Sequence, residues 1–123
     1  MITRSKDLLA WKKAHALVLA LYNLTKQYPR EELYGLTSQS RRAAVSISSN
    51  IAEGFGRGTR KDKLQFYAIA RTSLAELENQ LLIALDLKYV SQDDHRGVSV
   101  LTGEVTALIV GLERSAVDKR TQI

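Results

Sequence analysis

From Arg30 to the last residue the chain contains no proline, and apolar residues recur every three or four positions through most of that length. The one proline, Pro29, closes an earlier stretch with the same spacing. Apolar residues at that interval form a stripe along an α-helix, and each stripe must be buried against another. The first helix is predicted over about residues 7–27. One lane on it is Ala10, Ala14, Leu17, Leu21, Leu24 and Tyr28; another is Leu8, Trp11, His15, Val18 and Tyr22. Pro29 ends it, because the residue before a proline is pushed out of the α region.

A second helix is predicted over about 37–55, with Thr37 or Ser38 as N-cap hydroxyl. Its apolar line is Leu36, Ala43, Ile47, Ile51 and Phe55. Gly54, Gly56 and Gly58 break it, and Thr59 caps a third helix over about 60–87. The third helix carries two seams. One runs Phe66, Ala70, Ser73, Leu77, Gln80, Ala84, Leu87; the other runs Leu64, Tyr67, Arg71, Leu74, Glu78, Leu81, Leu85. Ser91 and the acidic turn after it start a fourth helix over about 92–117, with residues 118–123 as a frayed tail. Four helices with short connections predict one all-α domain over residues 1–123, an antiparallel up-down-up-down four-helix bundle.

Between its apolar positions the second helix holds Arg42, Ser46, Asn50 and Glu53. With the turn centred on Gly58, facing positions of helices two and three should sum to about 117. Arg42 is then expected to pair with Glu76 or Glu78, Ser46 to lie near Arg71, and Asn50 to lie near Tyr67. These residues read as a polar packing seam. Two seams on the third helix exceed what one neighbour needs, which predicts a homo-oligomer.

The topology also places charge. The chain carries a net charge of +5. One end of the bundle gathers Arg4, Lys6, Lys12, Lys13, Arg57, Arg60, Lys61, Lys63, Arg114, Lys119 and Arg120 against Asp7, Glu53, Asp62, Glu113 and Asp118, a surplus of +6. Clustered cations release counterions together on a polyanion. Arg57, Arg60, Lys61 and Lys63, with Lys12, Lys13, Lys119 and Arg120, are the candidate contacts to an RNA or DNA backbone. Phosphate contacts position without specifying, so sequence-independent binding is expected. An acidic protein would fit the same end, and a scaffold docking such a partner is the alternative.

Catalytic chemistry finds little to work with. There is no cysteine, and His15 and His95 lie in different halves of the chain with no metal-ligand spacing. Ser46, Ser48 and Ser49 have no base beside them in the expected register. The run G-F-G-R-G lacks the strand and the Lys-Ser/Thr of a phosphate-binding loop. No enzyme activity, metal or cofactor is expected. No apolar run approaches the roughly 20 residues of a membrane span, and no leader is visible, so the expected location is cytoplasmic.

Particular segments carry a resemblance. D-L-L-A-W-K-K-A at 7–14, E-L-Y-G-L-T-S-Q-S-R-R-A-A-V-S-I-S-S-N-I-A-E-G-F-G-R at 32–57 and F-Y-A-I-A-R-T-S-L-A-E-L-E-N-Q-L at 66–81 resemble the proteins encoded in intervening sequences of bacterial 23S rRNA genes. The resemblance spans residues 5–90 and implies a four-helix bundle forming homopentameric rings. It also suggests kinship with the accessory proteins of diversity-generating retroelements. That kinship implies nucleic acid and a reverse transcriptase, or another neighbouring-gene protein, as partners. The chain departs from the family pattern at Ser48, where proline is common, and at Arg71 and Asn79.

Overall fold

A computed structural model describes the backbone of residues 2–121 and the side chains of residues 2–117. Four helices form it: α1 (Leu9–Thr25), α2 (Leu36–Gly56), α3 (Arg60–Asp86) and α4 (Gln92–Thr121). Short 3-10 turns at Ser5–Asp7 and Arg30–Glu32 precede α1 and α2. The helices pack α1 on α2, α2 on α3, α3 on α4 and α4 back on α1, closing an all-α bundle.

The core is built from one stripe of each helix. Leu17 and Leu21, Ile47 and Ile51, Leu74, Leu77 and Leu81, and Val105 and Ile109 are almost wholly buried. Each such side chain contributes about 1.5–3 kcal/mol by leaving water. The first predicted lane of α1 faces this core; the second is only half-buried, and His15 stands exposed, stacked on Trp11 at 4.8 Å between ring centres. The two predicted seams of α3 merge, because Tyr67, Ala70, Leu74, Leu77, Leu81 and Ala84 all turn inward together.

Ends of helices differ from expectation where side chains further away do the capping. α2 begins one residue before Thr37, on Gly35. Its first N–H, on Leu36, donates to Glu32 Oε1 at 3.1 Å. Thr37 is therefore buried inside the helix and Ser38 donates back to the Gly35 carbonyl. At α3 the expected cap holds: Thr59 Oγ1 accepts from the Asp62 N–H at 3.1 Å. Ser91 does the same for Asp94. α3 closes with Lys88 at φ 63, its N–H on Leu85 O and that of Tyr89 on Ala84 O. That paired arrangement ends a helix in the left-handed conformation usually given to glycine.

α4 continues to Thr121, beyond its predicted end, so the expected tail is helical at residues 118–121, and residues 122–123 lie outside the described ones. α2 is unbroken through Ser48, whose hydroxyl donates to Val45 O. Among the described residues no helix is long and apolar enough to cross a membrane.

Candidate nucleic-acid interface

The α2–α3 register differs from the one expected. Ser46 Oγ and Ser73 Oγ lie 2.8 Å apart, so facing positions sum to 119 rather than 117. Arg57 and Thr59 between the helices are extended, which moves the start of α3 along the seam. This small shift rearranges the predicted polar pairs. Arg42 is exposed and forms no ion pair with Glu76 or Glu78. Glu76 is exposed as well. Glu78 accepts instead from Thr102 Oγ1 of α4 at 3.3 Å. Arg71 does not reach α2: its guanidinium holds both carboxylate oxygens of Glu113 on α4, at 3.2 and 3.1 Å. Those bonds and the charge beside them raise its already high pKa. Asn50 turns along its own helix, donating to Ser46 O and Ser46 Oγ, rather than toward Tyr67.

The elements that carry the predicted basic end meet, and of its candidate cations Lys63 lines the depression between them. Ile2, Leu8, Phe55, Lys63, Tyr67, Leu112 and Ala116 line one depression, which joins the chain start, the α2–α3 connection and the end of α4. Its cations fall into two groups. Arg57 donates to Glu53 at 3.0 Å and lies over the Phe66 ring, 4.6 Å from its centre. Lys13 pairs with Glu104 at 2.7 Å. Lys63 donates to Phe55 O at 2.7 Å and Gly54 O at 3.3 Å, satisfying carbonyls that the end of α2 leaves open. Lys12 and Lys61 are exposed and Arg60 is half-buried, and none of the three has an ion-pair partner among the described residues. The side chains of Lys119 and Arg120 lie outside the described residues.

Acids at this end are largely taken up: Asp7 by Arg4, Glu53 by Arg57 and Glu113 by Arg71. Exposed Lys12 and Lys61 and half-buried Arg60 therefore have few unpaired acids near them to screen their charge. Surface pairs such as Arg57–Glu53 contribute only about 0–1 kcal/mol, so a polyanion can compete for their cations.

A second feature was not anticipated from the sequence. Tyr22, Leu33, Tyr34, Thr37, Ser38, Arg41, Arg42, Val45 and Ser46 line an open groove of about 700 Å³ at the other end of α2. Arg41 lies over the Tyr22 ring at 4.6 Å and donates to Thr25 Oγ1 at 2.9 Å. The tyrosine placed at the end of a connector, with two consecutive arginines about two helical turns further on, was the available signal.

Among the described residues no group of three or more His, Asp and Glu stands close enough to hold a metal ion. Ser46 and Ser48 bond to another hydroxyl and to a backbone carbonyl.

A search of curated proteins finds no match. Among solved structures, a protein with unknown function from the S23 ribosomal protein family of Bacteroides thetaiotaomicron is similar in fold, with a TM-score of 0.80. It is 22% identical, over 89% of this chain and 98% of its own. The sequence pattern of the 23S rRNA-intervening sequence protein family matches residues 6–111. With that match spanning most of all four helices, the chain belongs to the 23S rRNA-intervening sequence protein family.

Proposed function

We propose that this protein is a non-enzymatic, homo-oligomeric bundle, pentameric as its family resemblance implies, which binds the backbone of RNA or DNA in the cytoplasm through its basic end. The observation that carries the reading is the sorting of charge at that end. Its acids are mostly engaged in pairs, while Lys12, Arg60 and Lys61 have no ionic partner among the described residues. Self-association is supported by apolar side chains that one subunit leaves in water, including Leu82, Ile83 and Ile69 on α3 and Val100 on α4.

The test is a titration of labelled duplex DNA and structured RNA at several salt concentrations, alongside light scattering. Affinity should fall steeply with salt, and Arg60→Ala with Lys61→Ala should flatten the slope by about two. Absence of binding at low salt would remove the nucleic-acid reading. A monomeric mass at micromolar concentration would remove the oligomer.

A further inference from the structure

We propose that the groove at the start of α2 takes an unstacked base of single-stranded nucleic acid. This rests on the nucleic-acid reading above and adds a site and a strand class to it. The groove offers two flat surfaces. The Tyr34 ring is 92% exposed, so both its faces are open to a ligand. Tyr22 carries the Arg41 guanidinium against its ring, and the bonds to Thr25 Oγ1 and Tyr22 O pin that planar group in place. Bases stack on aromatic rings and on guanidinium planes alike.

Charge selects among the occupants an apolar groove could hold. No acidic residue lines it, and it contains two arginines. Arg42 is exposed and has no ion-pair partner among the described residues, which leaves it open to a phosphate. A nucleotide joins an apolar face to a negative charge, as Leu33, Val45 and Arg42 together require. Paired bases inside a duplex hide their faces, so the site discriminates for a single strand. The groove also lies on the outer side of the helix that ends at the basic end. A smaller depression lined by Ser49, Ala52, Glu53, Gly56 and Arg57 lies further along α2, its one acid paired with Arg57. Arg42 and Arg57 are about 22 Å apart at the helical rise per residue. One strand can therefore reach both.

The probe is a labelled 12-nucleotide single strand and the duplex of the same sequence, followed by fluorescence anisotropy at low salt. Tyr34→Ala should weaken the single strand about tenfold and leave the duplex unchanged. Tyr34→Phe, which keeps the ring, should bind as the unaltered protein does. Arg42→Ala should weaken the single strand as well. Circular dichroism checks that the variants remain folded. Equal single-strand affinity in Tyr34→Ala would overturn the proposal while leaving backbone binding at the basic end intact. So would equal losses on both probes. A change in assembly mass on Tyr34→Ala would make the groove a contact between copies and overturn it too. If neither probe binds the unaltered protein, the nucleic-acid reading itself falls with it.

Discussion

Tyr89 donates its phenol to Glu32 at 2.9 Å, and the other oxygen of that carboxylate accepts from the first N–H of α2 at 3.1 Å. One side chain thus ties the α3–α4 connection to the start of α2, across 57 residues of sequence. The carboxylate also faces the positive end of the α2 dipole, which favours its charge. Glu32→Ala removes both bonds and should destabilise the fold by about 1–2 kcal/mol. Glu32→Gln keeps an oxygen but no charge, and should lose less. Urea unfolding of the two variants checks the order. Equal stability of Glu32→Ala and the unaltered protein would show that neither bond contributes.

Gly54 lies where α2 packs tightly against α3. A Cβ built there would stand 2.6 and 2.8 Å from the Tyr67 ring and 3.2 Å from Phe66 Cβ. Tyr67 is almost fully buried and cannot swing away. Gly54→Ala should therefore destabilise by about 1–3 kcal/mol, although alanine is the better helix former. Gly103 provides the contrast, since a Cβ there meets nothing within 4 Å. Gly103→Ala should stabilise by about 0.5–1 kcal/mol. Thermal melts of the pair separate packing from propensity.

These two sites mark where sequence reading succeeds and where it stops. The four helices, their order and the inward stripe of each are legible because burial imposes a period on α1 through α4. The caps at Thr59 and Ser91 are legible because hydroxyl and acceptor lie within one turn. Glu32 is not legible as a cap, since its reach depends on how the Arg30–Glu32 turn folds back. The polar seam fails for a related reason. Extended residues at Arg57 and Thr59 shift the pairing by only two positions. On a helix that is just over half a turn, enough to send Arg71 from α2 to Glu113 on α4. The gathering of cations follows from topology and is legible; which of them are engaged depends on atomic distances and is not.

The Tyr28 hydroxyl is buried without a hydrogen-bond partner among the described residues, and burial pushes its pKa from 10.0 up to about 12. Ionisation is thus harder in the folded chain than in the unfolded one. Its stabilising effect is fully present below pH 10 and is lost as pH rises toward 12. By that point about 2–3 kcal/mol is removed, at roughly 1.36 kcal/mol per pKa unit. Tyr67, raised by burial, and Tyr89, raised first by its bond to Glu32, add to the loss in the same direction. Tyr28→Phe deletes an unpaired hydroxyl from the interior. It should be at least as stable at neutral pH and should lose less stability between pH 10 and 12. Denaturant midpoints measured across that range decide it. A steeper alkaline loss in Tyr28→Phe would contradict the assignment.

Lys61 and Lys63 are two residues apart and should respond oppositely to truncation. Lys61 is exposed and has no ion-pair partner among the described residues. Lys63 binds the carbonyls of Gly54 and Phe55 and lies 5.5 Å from the centre of the Phe55 ring. A cation there satisfies the end of α2 and opposes its negative dipole, together about 1 kcal/mol. Lys63→Ala should lower the melting temperature by a few degrees, as expected for a loss near 1 kcal/mol in a chain of this size. Its effect on the salt slope of nucleic-acid binding should be the smaller of the two. Lys61→Ala should leave the melting temperature unchanged and reduce that slope by about one. If Lys63→Ala lowers the slope as far with no thermal cost, the ammonium leaves the helix end for phosphate. Its bonds to Gly54 and Phe55 are then too weak to divide the basic end into structural and binding cations.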